Sequence, residues 1–425
     1  MPFEGQFTPP GDKSMSHRLI LMSLISKGEM LIDGLSDCED VKTSLAIFRS
    51  LGGKAEPEGE ALRVHGMEGK WAPPAGIELA CDNSGTTIRL LMGILAGRPG
   101  RYVLDGDVQL RRRPMERVAE PLRLMGAEIE TVQGKPPVTI VGKDLTGIDY
   151  RMSTASAQLK SAILLAGLAA RGNTTVTEPH ATRDHTERLI DYFGGKIDVE
   201  GLTMTVAPKT LSLSSRFSTP GDPSSSAFFL AAAAMVPGSR VTARNLLLSR
   251  GRSGFLRVLD RMGAKVSLTM VGDKPEPTGD VTVSYDGPLK ATEILAAEIP
   301  SLIDEVPILA LAATQAQGLT VFRQVDELRV KETDRLMAIR HQLGALGARV
   351  NSSGDDLAIE GPTSFILPDS LDSGSDHRLA MTLSIALKAA GAAGATATQV
   401  PILGRESIAI SYPSFDDHLA ALWKG

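Results

Sequence analysis

The sequence predicts an α/β fold of two domains, each built from three repeated units, with apolar helices on the inside and sheets on the outside. Two kinds of segment carry this prediction. One is a very apolar helix with a polar start, and the other is a glycine pair between a helix and a strand. Both recur at intervals of about 70 to 85 residues. Six such units account for the whole chain of 425 residues.

Each apolar helix follows a polar stretch and then continues with few polar residues. The segment AFFLAAAAMV, residues 227–236, is apolar on every face, and a helix of this kind is buried on all sides. We therefore expect these helices inside each domain, with their polar starts at one end. Several helix N-termini at one end would attract anions. The six starts lie at Asp12, Asn83, Ser153, Gly221, Leu302 and Gly374.

The glycine pairs mark the ends of the other helices. Each Gly-Gly or Gly-Ala pair follows an apolar residue and precedes a β-like run. A glycine directly after a helix adopts the left-handed backbone conformation that ends it. We predict such helix ends, each with a strand starting just after, at Gly52, Gly126, Gly194, Gly263 and Gly347.

Each unit therefore reads as strand, apolar helix, strand, amphipathic helix and one or two further strands, a βαβαββ-type repeat. Short β-branched runs such as Pro137–Val141 and Asp280–Ser284 are typical of the strands. The last unit ends on a helix at residues 413–423.

The two halves of the chain contain similar helix starts. The segment TPPGDKSMSHR around Gly11 resembles STPGDPSSSAFF around Gly221, which indicates a duplication with three units in each half. We expect the first domain to span residues 13–219. The second domain would combine residues 1–12 with residues 220–425, so the chain would cross between domains near residues 12 and 220.

Composition excludes several classes of protein. The net charge of −5 argues against a non-specific nucleic-acid binder, which needs a positive surface. The two cysteines, Cys38 and Cys81, are too few for a disulfide scaffold or a thiolate zinc site, and we expect two inert thiols. The scattered histidines match no metal-binding motif, so we expect no metal and no cofactor.

No membrane association is expected. The N-terminus lacks the basic and apolar regions of a signal peptide. The longest apolar runs, Ser161–Ala170 and Ala227–Val236, are half as long as the roughly 20 residues that cross a bilayer. We therefore expect a cytoplasmic protein.

Cations stand at helix starts where the helix dipole disfavours them. Lys13 and Arg18 flank Ser14, the expected cap of the first apolar helix, and Arg378 opens the last one. Each such cation costs about 0.3–1 kcal/mol, and a bound anion would reverse that cost. The alternative is a solvated helix start with incidental charge.

A run of three arginines precedes a proline that suits the first helical position, Pro114. A solvated charge run and an anion contact are equally expected for Arg111 and Arg112. Arg113, next to the proline, is the better candidate for a bidentate clamp on phosphate or carboxylate.

Neutral hydrogen-bonding groups open two further apolar helices. Asn83 and Gly85 would let a ligand approach free backbone N–H groups, although a helix cap with a glycine would explain this segment equally well. Ser156 and Gln158 suit sugar-like hydroxyls or phosphate, although ordinary capping would explain these residues equally well.

Two segments combine acids with cations. In RVKETDR, Lys331 and Arg335 would lie one helical turn apart and repel each other, with Glu332 between them in sequence. This pattern indicates an anion site with an acid/base group, or alternatively a salt-bridged surface helix. Asp304 starts another apolar helix, where capping is the alternative role.

Taken in order, these motifs resemble the 5-enolpyruvylshikimate-3-phosphate synthase family over nearly the whole chain. The matching segments are PGDKSMSHR, DNSGTTIRLL, RRRPMERV, SAQLKSAILLAG, LRVKETDRL and DHRLAM. The resemblance implies two inside-out α/β barrel domains, the enolpyruvyl transferase fold, with the active site in the cleft between them. It also implies transfer of the enolpyruvyl group of phosphoenolpyruvate to the 5-hydroxyl of shikimate 3-phosphate, with release of phosphate through a tetrahedral intermediate.

The resemblance further implies which residues bind each substrate. Shikimate 3-phosphate would contact Lys13, Ser14, Arg18, Ser156, Gln158, Asp304 and Lys331. Phosphoenolpyruvate would contact Lys13, Asn83, Gly85, Arg113, Gln158, Arg335 and Arg378. Asp304, Glu332 and Lys13 would be catalytic, with Asp304 as the base and Glu332 or Lys13 as the acid. The enzyme is expected to be a monomer.

Some positions depart from the family pattern. Ala157 replaces a serine that many members carry, and Arg183 is expected to compensate by reaching the phosphate of shikimate 3-phosphate, as in members with Ser-Ala-Gln. A lysine that many members carry near the C-terminus is missing beside Ile410. Gly85 leaves the phosphoenolpyruvate site roomy, so inhibition by glyphosate is expected.

Two other functions remain as alternatives. UDP-N-acetylglucosamine enolpyruvyl transferases share the fold, but they use a loop cysteine as general acid and a Lys-Asn pair near the start. This chain has Lys13-Ser14, and neither cysteine lies in a matching loop. A non-catalytic repeat scaffold would explain the repeats. It would not explain acids and cations gathered at non-equivalent helix starts.

Overall fold

The computed structural model describes residues 1–71, 76–392 and 400–424. The chain divides into two compact units. The N-terminal unit is Gly11–Thr219, and the C-terminal unit combines Met1–Pro10 with Pro220–Gly425.

The α-helices of the described residues fall into apolar and amphipathic classes that alternate along most of the chain. They are α1 (Lys13–Ser23), α2 (Glu39–Ser50), α3 (Gly85–Ala96), α4 (Glu116–Leu124), α5 (Ala157–Gly167), α6 (His185–Tyr192), α7 (Pro223–Met235), α8 (Gly254–Arg261), α9 (Val306–Thr314), α10 (Arg335–Ala345), α11 (His377–Ala392) and α12 (Phe415–Leu422). Short 3-10 helices span Leu110–Arg112, Ile299–Ser301, Asp326–Val330 and Arg405–Ile410.

The strands of the described residues are short. They are β1 (Glu4–Phe7), β2 (Ser26–Lys27), β3 (Glu29–Asp33), β4 (Ala55–Glu58), β5 (Ala61–His65), β6 (Ile77–Ala80), β7 (Gly100–Asp105), β8 (Glu128–Val132), β9 (Lys135–Gly142), β10 (Asp149–Arg151), β11 (Thr174–Thr177), β12 (Lys196–Glu200), β13 (Thr203–Ala207), β14 (Leu211–Ser212), β15 (Arg216–Ser218), β16 (Arg240–Leu247), β17 (Lys265–Gly272), β18 (Thr278–Ser284), β19 (Glu293–Ile294), β20 (Gly318–Phe322), β21 (Arg349–Ser353), β22 (Asp356–Gly361), β23 (Leu371–Asp372) and β24 (Ile402–Leu403).

One sheet topology recurs in both units. The N-terminal unit has four-stranded sheets in the orders β15-β3-β5-β4, β6-β7-β9-β8 and β10-β11-β13-β12, and the C-terminal unit has β1-β16-β18-β17 and β19-β20-β22-β21. In each of these sheets the first pair is parallel and the other two pairs are antiparallel. The element order β6-α3-β7-α4-β8-β9 is the predicted repeat.

The first strand of the chain, the last strand of the N-terminal unit and the last repeat depart from the simple order of repeats. β1 lies in the sheet of β16, pairing Glu4 with Arg240, and β15 lies in the sheet of β3, pairing Arg216 with Leu31. The first strand therefore adds to the sheet of the second half of the chain. In the last repeat, the described residues form only the parallel pair β23-β24 before α12.

The apolar helices are buried all round, as predicted. Every residue of α7, from Pro223 to Met235, is buried, and so is every residue of α9. Complete burial of a side chain such as Phe228 or Phe229 contributes about 1.5–3 kcal/mol. By contrast α8 is amphipathic and buries one face, which includes Phe255 and Leu259. No helix among the described residues is both long and apolar enough to span a membrane.

The predicted helix-ending glycines are confirmed. All have a positive φ, from 72° to 110°, and each directly follows the C-cap of an amphipathic helix. A strand begins two or three residues later in every case. A side chain would be strained at this φ, so these positions depend on glycine. The five residues are Gly52, Gly126, Gly194, Gly263 and Gly347.

A further glycine brings two apolar helices into close contact. A Cβ added to Gly93 of α3 would lie 2.2 Å from the carbonyl oxygen of Ala162 in α5. The backbones of α3 and α5 can therefore approach only because this residue has no side chain. Their close packing also fixes the distance between the polar starts of the two helices.

Candidate active site

The starts of three apolar helices in the N-terminal unit are joined by hydrogen bonds. Asp12, Ser84 and Ser156 cap α1, α3 and α5, and each side chain accepts from a backbone N–H three residues later. No acidic residue occupies the first turns of these three helices, all of which the structure describes. The positive ends of their dipoles therefore lack an acid within the helix, as an anion site requires.

Gln158 connects α5 to α3. Its Oε1 accepts from Arg89 Nη1 at 2.7 Å, and its Nε2 donates to Thr86 Oγ1 at 2.9 Å. Arg89 also donates to the carbonyl of Pro114 at 3.2 Å. The amide of Gln158 is thereby held in one orientation, beside a buried guanidinium.

Gly85 and Arg113 lie in direct contact. A Cβ on Gly85 would lie 2.5 Å from Arg113 Nη1 and 3.0 Å from Arg89 Nη1. Arg113 is buried, whereas Arg111 is exposed and pairs with Asp105 at 2.5 Å. Arg113 thus differs from Arg111 in burial. A substituent at residue 85 would push directly against its guanidinium.

Two predicted helix starts were wrong. Asp12 and not Ser14 caps α1, and Ser14 lies in the first turn. Asp12 competes successfully because its carboxylate is a stronger acceptor for the free N–H groups. Pro114 does not occupy the first helical position, since Met115 is the N-cap of α4 and Glu116 begins it.

Lys13 and Arg18 on α1 both have partners within the N-terminal unit. Lys13 Nζ pairs with Asp40 Oδ2 at 2.8 Å. Arg18 donates to Thr186 Oγ1 at 2.8 Å, to Ser161 Oγ at 2.9 Å and to the carbonyl of Ser14 at 2.9 Å. Arg18 is 3% exposed. It therefore ties α1 to α5 and α6.

The other predicted residues of this unit have defined places. Asn83 Nδ2 donates to Asp107 Oδ2 at 2.8 Å and to Gln109 Oε1 at 2.7 Å. Ser156 is the cap of α5, so the capping role that the sequence left open does occur. Arg183 is half-buried in the connection between β11 and α6.

The acids and cations of the C-terminal unit form one cluster, with Arg335 at its centre. Its Nε donates to Asp376 Oδ2 at 2.6 Å, its Nη1 lies 3.4 Å from Asp304 Oδ1, and its Nη2 donates to Glu332 Oε2. Burial opposes the charge of Arg335, but Asp376, Glu332 and Asp304 together outweigh it and raise its pKa. Arg335 is 1% exposed and stays charged.

The carboxylate of Asp304 contacts three cations. Its Oδ1 lies 3.7 Å from Lys331 Nζ and 3.7 Å from Arg378 Nε, in addition to the contact with Arg335. Asp304 does not cap a helix, since α9 begins at Val306 after Glu305 as N-cap. The capping alternative for Asp304 is therefore wrong, and its carboxylate contacts the cations of the cluster instead.

Lys331 and Arg335 are not neighbours on one helix, as their spacing had suggested. Lys331 follows the 3-10 helix Asp326–Val330, and α10 begins at Arg335. The expected repulsion is offset because both cations approach Asp304. Burial lowers the pKa of Lys331, although Asp304 opposes this change.

Arg378 lies in the first turn of α11, as predicted. Its Nη1 donates to the carbonyl of Asp304 at 3.4 Å and lies 3.9 Å from Glu305 Oε1. The structure thus brings together every residue that the sequence assigned to this unit. Those residues are Asp304, Lys331, Glu332, Arg335 and Arg378.

Comparison with known proteins decides the family. The family model described as EPSP synthase (3-phosphoshikimate 1-carboxyvinyltransferase) matches residues 1–419. The chain belongs to the EPSP synthase family. It is an enzyme, and the activity of this family is 3-phosphoshikimate 1-carboxyvinyl transfer. The alternative of a non-catalytic scaffold is therefore wrong.

Relatives and solved structures agree with this family. A 3-phosphoshikimate 1-carboxyvinyltransferase of Anaeromyxobacter sp. is 45% identical, covering 100% of this chain and 97% of the relative. Another, of Synechococcus sp., is 45% identical over 98% of this chain and 96% of its own length. EPSP synthase from Acinetobacter baumannii superposes with a TM-score of 0.84 at 37% identity, covering 99% of this chain and 96% of that one.

A more distant structure shares the fold alone. The enolpyruvyl transferase NikO from Streptomyces tendae superposes with a TM-score of 0.77 at 19% identity, covering 99% of this chain and 95% of that one. The α/β enolpyruvyl transferase fold predicted from the sequence is thereby confirmed.

The UDP-N-acetylglucosamine enolpyruvyl transferase alternative has less support. The relatives above carry the EPSP synthase activity in their names. Cys38 and Cys81 are both 0% exposed, and burial raises the pKa of each thiol. Both are free thiols, as the sequence predicted. Among the described residues, no group of three or more His, Cys, Asp and Glu side chains could hold a metal ion.

Sequence reasoning missed several residues of these clusters. Arg89, which orients Gln158, and Asp40, which pairs with Lys13, lie inside helices and carry no special spacing. Asp376 could have been found, because it is an acid directly before a helix start that also carries Arg378. It both caps α11 and binds Arg335. Near Ile410, the buried Tyr412 bonds to His418 at 2.7 Å.

Proposed function

We propose that the two clusters serve one reaction, the transfer of the enolpyruvyl group of phosphoenolpyruvate to the 5-hydroxyl of shikimate 3-phosphate. The single observation that supports this most strongly is the cluster around Arg335. It holds two partly exposed carboxylates, Asp304 and Glu332, against cations in one unit. Proton transfer to and from a substrate needs such acids, and phosphorylated substrates need the cations.

We assign most of the substrate contacts to the helix starts of the N-terminal unit. Shikimate 3-phosphate would contact Lys13, Ser14, Arg18, Ser156, Gln158 and Arg183. Phosphoenolpyruvate would contact Lys13, Asn83, Gly85, Arg113 and Gln158. Buried guanidinium groups and free backbone N–H groups suit phosphate and carboxylate, because bidentate charged hydrogen bonds are about twice as strong as neutral ones.

The residues of the C-terminal unit would bind both substrates and move the protons. Asp304 and Lys331 would contact shikimate 3-phosphate, and Arg335 and Arg378 would contact phosphoenolpyruvate. Asp304 and Glu332 are 13% and 14% exposed on their side chains, while Arg335 beneath them is 1% exposed. The carboxylates of Asp304 and Glu332 are therefore more accessible to a ligand than the guanidinium of Arg335, which orients them.

The proposed reaction has an addition step and an elimination step. Asp304 accepts the proton of the 5-hydroxyl while Glu332 or Lys13 protonates the methylene carbon of phosphoenolpyruvate. The hydroxyl oxygen bonds to the cationic C2, which gives a tetrahedral intermediate. The C2–O bond to phosphate then breaks, and loss of a proton from the new methyl group restores the double bond.

Positioning and charge stabilisation supply most of the catalysis in this proposal. Orientation of reacting groups can lower a barrier by about 7–11 kcal/mol. General acid–base transfer adds roughly 10²- to 10⁴-fold in rate. Neither contribution draws on a metal or an organic cofactor, and we propose that none is required. We further propose that the enzyme acts as a cytoplasmic monomer without nucleic-acid or membrane partners.

Release of inorganic phosphate from purified protein tests the proposal. We expect release only when phosphoenolpyruvate and shikimate 3-phosphate are both present, with no loss in excess EDTA. Lys13→Ala and Glu332→Ala should abolish it. Phosphate release that is independent of shikimate 3-phosphate, or that needs UDP-N-acetylglucosamine instead, would contradict the proposal.

A further inference from the structure

A buried cluster of charged residues lies outside the groups assigned above. It consists of Lys160 on α5, Glu178 just after β11, Thr182, and Glu187 on α6, and we call it the Lys160 cluster. Lys160 Nζ lies 3.1 Å from Glu178 Oε2 and 2.7 Å from Glu187 Oε1. The side chains of the three charged residues are 1%, 4% and 5% exposed.

Glu178 also shapes the chain that follows it. Its Oε1 accepts from the backbone N–H of Thr182 at 3.1 Å, and its Oε2 accepts from Thr182 Oγ1 at 2.6 Å. The residues between them, Pro179 to Ala181, are exposed and lie outside helices and strands. Glu178 therefore closes this stretch into a turn, and the next residue after Thr182 is Arg183.

The Lys160 cluster holds both ends of the connection that carries Arg183. Glu178 lies at its start, Glu187 lies in the first turn of α6 after its end, and both bind the same ammonium on α5. Thr186 and Ser161, which lie next to Glu187 and Lys160 in the chain, add a second contact between α6 and α5. Thr186 Oγ1 donates to Ser161 Oγ at 2.7 Å. Helix α5, whose start carries Gln158, is thus tied to the Arg183 connection.

The charges in the cluster do not balance if every group is ionised. One ammonium faces two carboxylates, and Glu187 Oε2 is buried without a hydrogen-bond partner among the described residues. Burial raises the pKa of Glu187, although Lys160 opposes this change. Glu178 has three donors and Glu187 has one. Two carboxylates facing one ammonium are costly in the interior, so the cluster favours the neutral form of Glu187.

A buried ion pair of this kind adds little to stability compared with apolar residues of the same volume, so its value lies in fixing geometry. We propose that Lys160 is a positioning residue that sets the place of Arg183 for the phosphate of shikimate 3-phosphate, acting through Glu178 and Thr182. This inference rests on the proposed function. A long arginine held in place before binding loses less conformational freedom when the phosphate arrives.

Steady-state phosphate release by the full-length enzyme tests the proposal. Lys160→Met keeps the stem and removes the ammonium, and Thr182→Val removes only a hydroxyl. We expect each to raise the KM for shikimate 3-phosphate by about tenfold, with kcat and the KM for phosphoenolpyruvate changed less than about twofold. Glu187→Gln should change all three constants less than about twofold, because glutamine keeps the size of the side chain and leaves the Lys160–Glu178 pair in place.

The double variant Lys160→Met/Arg183→Ala separates positioning from a general structural effect. If Lys160 acts through Arg183, this variant should have the same KM for shikimate 3-phosphate as Arg183→Ala alone. Effects that multiply in the double variant would overturn the proposal. Lys143→Met is the matched control. It makes the same change at an exposed lysine, whose Nζ lies 2.9 Å from Glu128 Oε1 on the surface.

The remaining outcomes are also decisive. If Lys160→Met does not fold, Thr182→Val carries the test, since it leaves the ion pairs intact. Normal KM values in Thr182→Val or in Arg183→Ala would overturn the proposal while the function stands. Absence of phosphate release by the wild-type enzyme with both substrates would instead contradict the proposed function itself.

Discussion

The two clusters use positive charge in different ways. In the N-terminal unit, the assigned residues are neutral or cationic, and most of them lie near the starts of α1, α3 and α5, whose described first turns hold no acid. In the C-terminal unit, the three cations Lys331, Arg335 and Arg378 share their contacts with carboxylates. Those carboxylates are Asp304, Glu305, Glu332 and Asp376.

This difference teaches how similar repeats can take on separate tasks. Helix dipoles and the cations beside helix starts attract anions, so they suit binding. Cations interleaved with carboxylates hold those carboxylates in place, so they suit proton transfer. The same helix-start geometry therefore supports either task, and a few side chains decide which.

The largest expected effect comes from removing the proposed base. Asp304→Asn keeps the shape of the side chain but cannot accept a proton. We expect kcat to fall by about 10²- to 10⁴-fold, measured as phosphate release at saturating substrates. Glu360→Gln, an exposed acid that pairs with Arg349 at 3.3 Å, is the control and should retain full activity. A kcat within twofold of wild type would exclude Asp304 as the base.

The next effect concerns the stability of the C-terminal unit. Arg335→Met leaves Asp376, which is 0% exposed, without its strongest partner. Loss of one partner of a buried pair costs about 3–5 kcal/mol, and urea unfolding should detect it. Arg405→Met breaks a half-exposed pair with Asp416 and should cost less than about 1 kcal/mol. Equal losses in the two variants would mean that Arg335 does not organise the cluster.

A third variant tests the contact between Gly85 and Arg113. Gly85→Ala would place a methyl group 2.5 Å from Arg113 Nη1, so the guanidinium must move. We expect the KM for phosphoenolpyruvate to rise by about ten- to a hundredfold, with weaker inhibition by glyphosate, which we expect to inhibit the wild-type enzyme. Gly344→Ala, where a Cβ meets nothing within 4 Å, is the control. Unchanged turnover of the wild type in excess glyphosate would contradict the glyphosate prediction.

The smallest expected effect is on the pH profile. Burial lowers the pKa of Lys331, so this ammonium loses its proton at a lower pH than an ordinary lysine. Since only the protonated form attracts a phosphorylated substrate, kcat/KM for shikimate 3-phosphate should fall on the alkaline side, by up to about tenfold per pH unit. Lys331→Arg, which stays charged, should move this fall to higher pH. An identical profile in that variant would exclude Lys331 as its origin.

Much of the fold could be predicted because its signals are local. A helix that ends at a glycine such as Gly126 or Gly263 needs only a positive φ, and an apolar helix such as α7 has no polar face to expose. Helix starts were harder to place. Asp12 and not Ser14 caps α1, because neighbouring side chains compete for the same N–H groups, and α4 begins only at Glu116, two residues after Pro114.

The candidate site was predicted as a set of residue types rather than as a set of contacts. The sequence predicted that Lys331 and Arg335 would be repelling neighbours on one helix. In the structure both cations contact the carboxylate of Asp304, which lies about 30 positions earlier in the chain. Pairing across such a distance depends on tertiary packing. For the same reason Arg89 and Lys160 received no role from the sequence, although both lie in segments that match the family, DNSGTTIRLL and SAQLKSAILLAG.

The division of tasks between the clusters is tested most directly by comparing Glu332→Gln with Arg113→Met. The measurement is the single-turnover rate at saturating substrates, together with the concentration of phosphoenolpyruvate that gives half that rate. Glu332→Gln should lower the rate at least about a hundredfold and leave the half-saturating concentration within about threefold. Arg113→Met should chiefly raise that concentration. The account is contradicted if Glu332→Gln weakens phosphoenolpyruvate binding as much as Arg113→Met while its saturated rate stays normal.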